Sequence, residues 1–184
     1  MSRTIQLAQW AVGHKHSSLS HVALLVKCDK VMKWEFGKKG IHLKLGELYV
    51  FESTTMNKWA NKSGVQINSY DEWLKNYKGK VFSRAVQAPD TCATGLSLVM
   101  ARLHGVPYES GYSGLRELAK CIMPRWINRE NTINLHCTET NGIILQELGT
   151  MDAFPTNRMP PCMWWGDKLK DLMRVPISDP ERLK

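Results

Sequence analysis

Cys137 stands at the predicted start of a helix, where a thiol is readily converted into a nucleophile. An apolar run at helical spacing follows it, and Gly149 comes after that run as a stop signal. In the first turn of a helix, unpaired backbone N–H groups and the positive end of the helix dipole favour thiolate over thiol. Thiolate is the nucleophilic form, so the position suits a cysteine enzyme. Taken alone, however, most free cysteines are small buried apolar residues.

A thiol nucleophile requires a base and a group that orients the base. His21 opens a strand-like apolar run after a serine-rich loop, and its ordinary pKa of about 6.5 suits proton transfer near neutral pH. Glu52 ends a second β-prone run, and its carboxylate is suited to holding an imidazole in one tautomer. If the three residues act together, the Cys137 sulfur and a His21 ring nitrogen lie within roughly 4 Å.

Strands and helices are predicted in different parts of the chain. Apolar and alternating runs predict strands at residues 21–27, 34–36, 48–53, 65–67 and 80–86. Helical spacing and end signals predict a short helix at 71–77 and longer helices at 90–104, 115–123 and 137–148. Strands first and helices later indicate an α+β fold rather than alternating α/β units.

The composition is that of a single globular domain spanning residues 1–184, with residues 175–184 expected to form a flexible tail. The net charge of +8 permits contact with an anionic polymer without identifying one. Five scattered cysteines indicate free thiols in a reducing compartment. No secretory signal or membrane-spanning apolar run is visible, so we expect a cytoplasmic protein, which includes a viral or phage origin.

The order of these residues resembles the permuted NlpC-like (YiiX-type) branch of the papain-like cysteine hydrolases. Residues 20–25 (Ser-His-Val-Ala-Leu-Leu) are similar to the family's Ser-His-hydrophobic strand, and residues 51–54 (Phe-Glu-Ser-Thr) to its acidic strand end. Residues 105–108 (Gly-Val-Pro-Tyr) resemble its Gly-x-Pro-Tyr-Asp motif. Residues 135–139 (Leu-His-Cys-Thr-Glu) resemble its Tyr-x-Cys-Ser-Glu motif.

The resemblance implies a permuted papain-like fold, in which an antiparallel sheet or half-barrel at about residues 20–86 packs against helices at about residues 90–149. It implies a thiol peptidase or amidase with Cys137 as nucleophile, His21 as base and Glu52 as orienting residue, and with no cofactor or metal. An acyl thioester would form from an amide, isopeptide or ester bond, with the Cys137 backbone N–H meeting the oxyanion. The implied substrates are peptides, peptidoglycan, isopeptide-linked proteins or lipid acyl compounds.

Other functions stay open on the residues alone. A cysteine acyltransferase of the same fold would use the same triad. A non-catalytic, basic nucleic-acid-binding protein is suggested by lysines that interleave with Trp34, Trp59 and Trp73.

Two metal sites are also conceivable. Zinc-type ligands occur at irregular spacing in the first 28 residues: His14, His16, His21 and Cys28. Cys137, Glu139 and Cys162 approach a zinc-deaminase pattern, but Trp165 occupies a position that requires a ligand.

Overall fold

The chain has an α+β fold, as predicted, with antiparallel strands and α-helices. The computed structural model describes residues 21–57, 62–108, 135–156, 159 and 161–184. The strands are β1 (Leu24–Lys27), β2 (Leu48–Asn57), β3 (Lys62–Ser69), β4 (Phe82–Ser83) and β5 (Glu181–Arg182). The α-helices are α1 (Lys30–Gly37), α2 (Tyr70–Asn76), α3 (Cys92–Leu103), α4 (Cys137–Glu147) and α5 (Asp167–Leu172), and a 3-10 helix covers Pro161–Trp164.

The main sheet has the order β1-β2-β3, with β2 in the centre and both pairings antiparallel. The register places Leu24 opposite Phe51, and Glu52 opposite Gln66. Because successive side chains of a strand point to opposite faces, the fully buried Phe51 and the adjacent Glu52 face different sides of the sheet. The sheet therefore supplies an apolar face to the core and a carboxylate on its other face.

Helix α4 lies between two hydrophobic clusters. Ile144 belongs to a core that includes the apolar face of the sheet and residues of α1 and α3. The next residue, Leu145, belongs to a second cluster with Met151, Met163 and Leu169. Burial on both sides fixes the axis of α4 and, with it, the position of Cys137 at its first residue.

The strand predicted at residues 34–36 is wrong, because these residues belong to helix α1. The Asp29 carboxylate accepts a hydrogen bond of 2.6 Å from the Met32 N–H and so caps the helix N-terminus. Met32 and Phe36 are buried four residues apart on one helical face. The alternation of Trp34 and Phe36 thus came from an exposed and a buried face of a helix, and α1 is a second helix in the half of the chain where strands were predicted to dominate.

The strand predicted at residues 80–86 is much shorter in the structure. Only β4 pairs as a strand, with β5, and Val86 forms a single bridge to Ile177. The intervening partner segment contains Pro180, which has no N–H to donate to a ladder. Beyond β5, the Lys184 ammonium donates to the carbonyls of Leu74 and Tyr77. The helix predicted at 115–123 lies outside the described residues.

Gly64 allows β3 to approach residues 105–108. Its φ is +98°, and a Cβ built on it would lie 2.5 Å from the Val106 carbonyl oxygen. The neighbouring Val65 donates its N–H to that oxygen at 2.8 Å and accepts from the Gly105 N–H at 2.9 Å. Gly46 provides a comparison, because its φ is +82° but no atom lies within 4 Å of its Cβ position.

Substitution of Gly64 by alanine is expected to destabilise the fold more than the same change at Gly46. Gly46→Ala should cost about 1–2 kcal/mol because L-residues disfavour positive φ. Gly64→Ala adds the collision with Val106 and should cost at least about 1 kcal/mol more. Urea unfolding of both variants measures the difference. Equal free energies of unfolding would contradict the close approach at Gly64.

Candidate active site

Glu52 is a buried carboxylate surrounded by hydrogen-bond donors. Its side chain is 3% exposed. One oxygen, Oε2, accepts from the His21 ring at 2.8 Å and from the Trp73 indole N–H at 3.0 Å. The other, Oε1, accepts longer bonds from the side-chain amides of Gln66, at 3.5 Å, and Asn68, at 3.4 Å. Such a set of donors compensates the loss of water around a buried carboxylate.

His21 lies between Glu52 and Cys137. The 2.8 Å contact with Glu52 uses the ring nitrogen Nε2, which leaves Nδ1 for the side-chain hydrogen bond between His21 and Cys137. The imidazole is thus held by Glu52 on one side and meets Cys137 on the other, and its side chain is 18% exposed. A ring fixed in this way has one orientation and one set of proton partners.

Cys137 is the first residue of α4, as predicted, and is buried at 7% exposure. Its helix start is fixed by the Glu139 carboxylate, which accepts a 2.9 Å hydrogen bond from the His136 N–H. The backbone N–H of Val22 acts on the Cys137 sulfur and helps to lower the pKa of the thiol. At the first helical position the Cys137 N–H has no carbonyl partner within the helix and points out of the helix end.

The three predicted site residues, Cys137, His21 and Glu52, are therefore brought together. They come from the start of a helix, from the segment before β1 and from the central strand β2. Sequence patterns did not predict three donors that support Glu52. Gln66 and Asn68 alternate with apolar residues on β3. Because residues two apart on a strand share one face, two polar residues at this spacing indicate that a polar group on β2 faces them. Trp73 was counted with the nucleic-acid-binding residues, but it is buried against Glu52.

The electrostatics of the site favour a thiolate–imidazolium pair. Burial opposes charge on His21, but hydrogen bonds and charge interactions with Cys137 and Glu52 outweigh it and hold the His21 pKa well above its ordinary value. Burial likewise raises the pKa of Cys137. The hydrogen bond and positive charge of His21, the Val22 N–H and the charge of His136 overcome that effect and lower the Cys137 pKa from its ordinary value.

The zinc alternatives receive no support from the described residues. Among the described residues, no group of three or more His, Cys, Asp or Glu side chains could hold a metal ion. His14 and His16 lie outside the described residues. Cys28 is buried at 2% exposure, and its thiol contacts the Asp29 carbonyl at 3.5 Å.

Across residues 21–57, 62–108 and 135–184, apart from the undescribed positions 157, 158 and 160, no helix is long and apolar enough to cross a bilayer. In comparisons with known proteins, no family model, curated protein or solved structure matches the chain.

The pKa directions predict selective alkylation of Cys137. As pH falls, its thiolate persists until the lowered thiol pKa is passed, whereas burial and the charge of Asp29 raise the pKa of Cys28, which is also buried. At pH 6.5, iodoacetamide should therefore modify Cys137 at least about tenfold faster than Cys28. Peptide mass spectrometry over a pH series measures both rates in one sample.

Substitution of His21 tests whether its imidazole causes the rapid alkylation of Cys137. His21→Gln should slow Cys137 alkylation at pH 6.5 about tenfold or more, because the thiolate loses its cationic partner. His104→Gln is the control, since His104 packs edge-on against Phe36 in the core. Equal alkylation rates of Cys28 and Cys137 would contradict an activated Cys137 thiol. The same loss of Cys137 alkylation in His21→Gln and His104→Gln would also contradict it.

Proposed function

We propose that the protein is a cysteine hydrolase, a peptidase or amidase, of the permuted NlpC-like papain-like class. The observation that carries the proposal is that the His21 ring lies between Glu52, which it contacts at 2.8 Å, and Cys137, whose pKa it lowers. A buried carboxylate, an imidazole and a thiol at a helix start have the residue types and order of a nucleophilic triad. The motifs around His21, Glu52 and Cys137 that resemble this class support the same function.

In the proposed reaction the Cys137 thiolate attacks the carbonyl carbon of an amide, isopeptide or ester. Negative charge develops on the carbonyl oxygen, where the Cys137 N–H and the positive end of α4 stabilise it. The His21 imidazolium then donates its proton to the leaving nitrogen or oxygen as the bond to carbon breaks. The products of this half-reaction are a thioester on Cys137, a free amine or alcohol, and neutral His21.

The second half-reaction restores the enzyme. Neutral His21 accepts a proton from water as the water oxygen attacks the thioester carbon. The carbon–sulfur bond breaks, so a carboxylic acid leaves and the thiolate–imidazolium pair forms again. Glu52 keeps the Nε2 side of the ring occupied throughout, so Nδ1 faces the sulfur in both steps. An acyltransferase would differ only in the acceptor, with an amine or alcohol in place of water.

The proposed substrates are peptide, peptidoglycan, isopeptide-linked or lipid acyl compounds. A second candidate function, binding of an anionic polymer, is suggested by the net charge of +8 and by Trp34, which is 67% exposed on α1. The Lys38 ammonium lies 5.4 Å from the centre of the Trp34 ring and is also paired with the Glu35 carboxylate at 2.7 Å. The expected signature is an affinity that falls with added salt. This surface does not involve the triad residues.

An acyl-enzyme trapping experiment tests the catalytic proposal. The protein is mixed with activated acyl esters, quenched in acid and digested, because a thioester survives acid long enough for mass spectrometry. We expect one acyl group on Cys137, removable by hydroxylamine. Added amine acceptors distinguish transfer, which yields the acyl amide, from hydrolysis, which yields the acid.

Two serine variants provide the controls for this experiment. Cys137→Ser should abolish rapid acylation, whereas Cys28→Ser should leave it unchanged because Cys28 lies outside the triad. Acyl groups distributed equally over the cysteines, or none on Cys137 with any ester, would contradict the proposed function.

A further inference from the structure

The segment that carries His21 lies outside the sheet. The ladder between β1 and β2 begins at Leu24, opposite Phe51, so residues 21–23 have no strand pairing to hold them. The distance between the His21 ring and the Cys137 sulfur therefore depends on contacts made beyond the ladder. A displacement of about 1 Å is enough to damage a catalytic pair.

Asn141 makes such a contact. It lies four residues after Cys137, on the same face of α4, and is buried at 2% exposure. Its side-chain nitrogen Nδ2 donates to the Cys137 carbonyl at 2.7 Å and to the Val22 carbonyl at 3.3 Å. One amide group therefore joins the first turn of the nucleophile's helix to the residue that follows His21.

Val22 consequently meets α4 at two points. Its C=O accepts from Asn141 at 3.3 Å, and its N–H lies close enough to the Cys137 sulfur to help lower the pKa of the thiol. Two contacts from one peptide segment set its orientation as well as its distance. Because His21 precedes Val22 directly, the same contacts constrain the backbone from which the imidazole projects.

Neither helix formation nor core packing accounts for an asparagine at this position. Asparagine is a poor former of helix interiors, and burial of its amide costs free energy unless hydrogen bonds replace water. Its side-chain oxygen Oδ1 is buried with no hydrogen-bond partner among the described residues. An apolar residue of similar size would suit this turn better unless the Nδ2 contacts were required.

We propose that Asn141 is a positioning residue, which holds the His21–Val22 segment against the first turn of α4 so that His21 and the Val22 N–H both reach Cys137. The inference rests on the proposed function. Asn141 acts through the backbone of Val22 and Cys137 and takes no part in bond making. Among the described residues, the charged and titratable groups that act on the Cys137 sulfur are His21 and His136, with Glu52 acting through His21.

Asn141→Leu tests this role, because leucine has the same number and branching of side-chain heavy atoms and no donor. The His21–Val22 segment should then separate from α4, and the thiolate should lose part of its stabilisation. We expect the rate of Cys137 alkylation at pH 6 to fall about tenfold, which is the effect of a one-unit rise in the thiol pKa. The midpoint of the alkylation rate plotted against pH should move to higher pH.

Thr150→Val is the matched control. The Thr150 hydroxyl is also buried and donates to a carbonyl of α4, that of Leu145 at 2.9 Å, but at the opposite end of the helix. Both variants should lose thermal stability, and only Asn141→Leu should move the pH profile. An unchanged profile in folded Asn141→Leu, or the same shift in both variants, overturns the positioning role.

The unsubstituted protein separates this proposal from the proposed function. An ordinary alkylation profile of Cys137 in the wild type would contradict the proposed function itself. A low-pH profile that Asn141→Leu leaves unchanged would contradict only the role of Asn141.

A measurement on the wild type keeps the proposal testable if Asn141→Leu does not fold. In the ¹⁵N-labelled protein, the Asn141 side-chain amide protons should exchange with solvent far more slowly than those of exposed asparagines. Exchange as fast as that of exposed asparagines overturns the proposal.

Discussion

The candidate site depends on one buried charge, the carboxylate of Glu52. A buried carboxylate is costly unless it is paired and hydrogen-bonded, and removal of the partner of such a pair typically costs about 3–5 kcal/mol. His21 and Trp73 satisfy one oxygen of Glu52, while the amides of Gln66 and Asn68 approach the other. This arrangement favours an imidazolium at His21, and the imidazolium in turn favours a thiolate at Cys137. The Glu52 carboxylate on β2 therefore stabilises the Cys137 thiolate at the start of α4 through the His21 ring.

The fold provides this arrangement from parts that are distant in sequence. The central strand β2 holds Glu52 opposite Gln66, and the second face of the same strand packs Phe51 into the core. Helix α4 is buried on two sides and presents Cys137 at its end. The Ser53 hydroxyl donates to the Leu135 carbonyl and so ties β2 to the residues just before that end. Rigid elements therefore hold the carboxylate and the thiol, and short hydrogen-bonded contacts hold the imidazole between them.

Local patterns in the sequence predicted the parts of the site that local structure determines. Apolar spacing and a following glycine located α4 and placed Cys137 at its start, and the α+β character followed from the order of elements. The helix α1 was missed because two aromatic residues two apart imitate a strand when the Asp29 cap is ignored. The Trp73 contact could not be predicted, since it depends on how α2 packs over β2, which no pattern within either element encodes.

The central claim is that His21 is a cation paired with the Cys137 thiolate. Nuclear magnetic resonance of the ¹⁵N-labelled imidazoles in the reduced protein measures this charge directly. The account predicts that both His21 ring nitrogens are protonated at pH 7 and titrate well above the ordinary value of 6.5. It also predicts a lower midpoint in Cys137→Ala and in Glu52→Gln, because each loses one partner of the ring. A neutral His21 at pH 7, with a midpoint at or below 6.5 in the wild type, would contradict it.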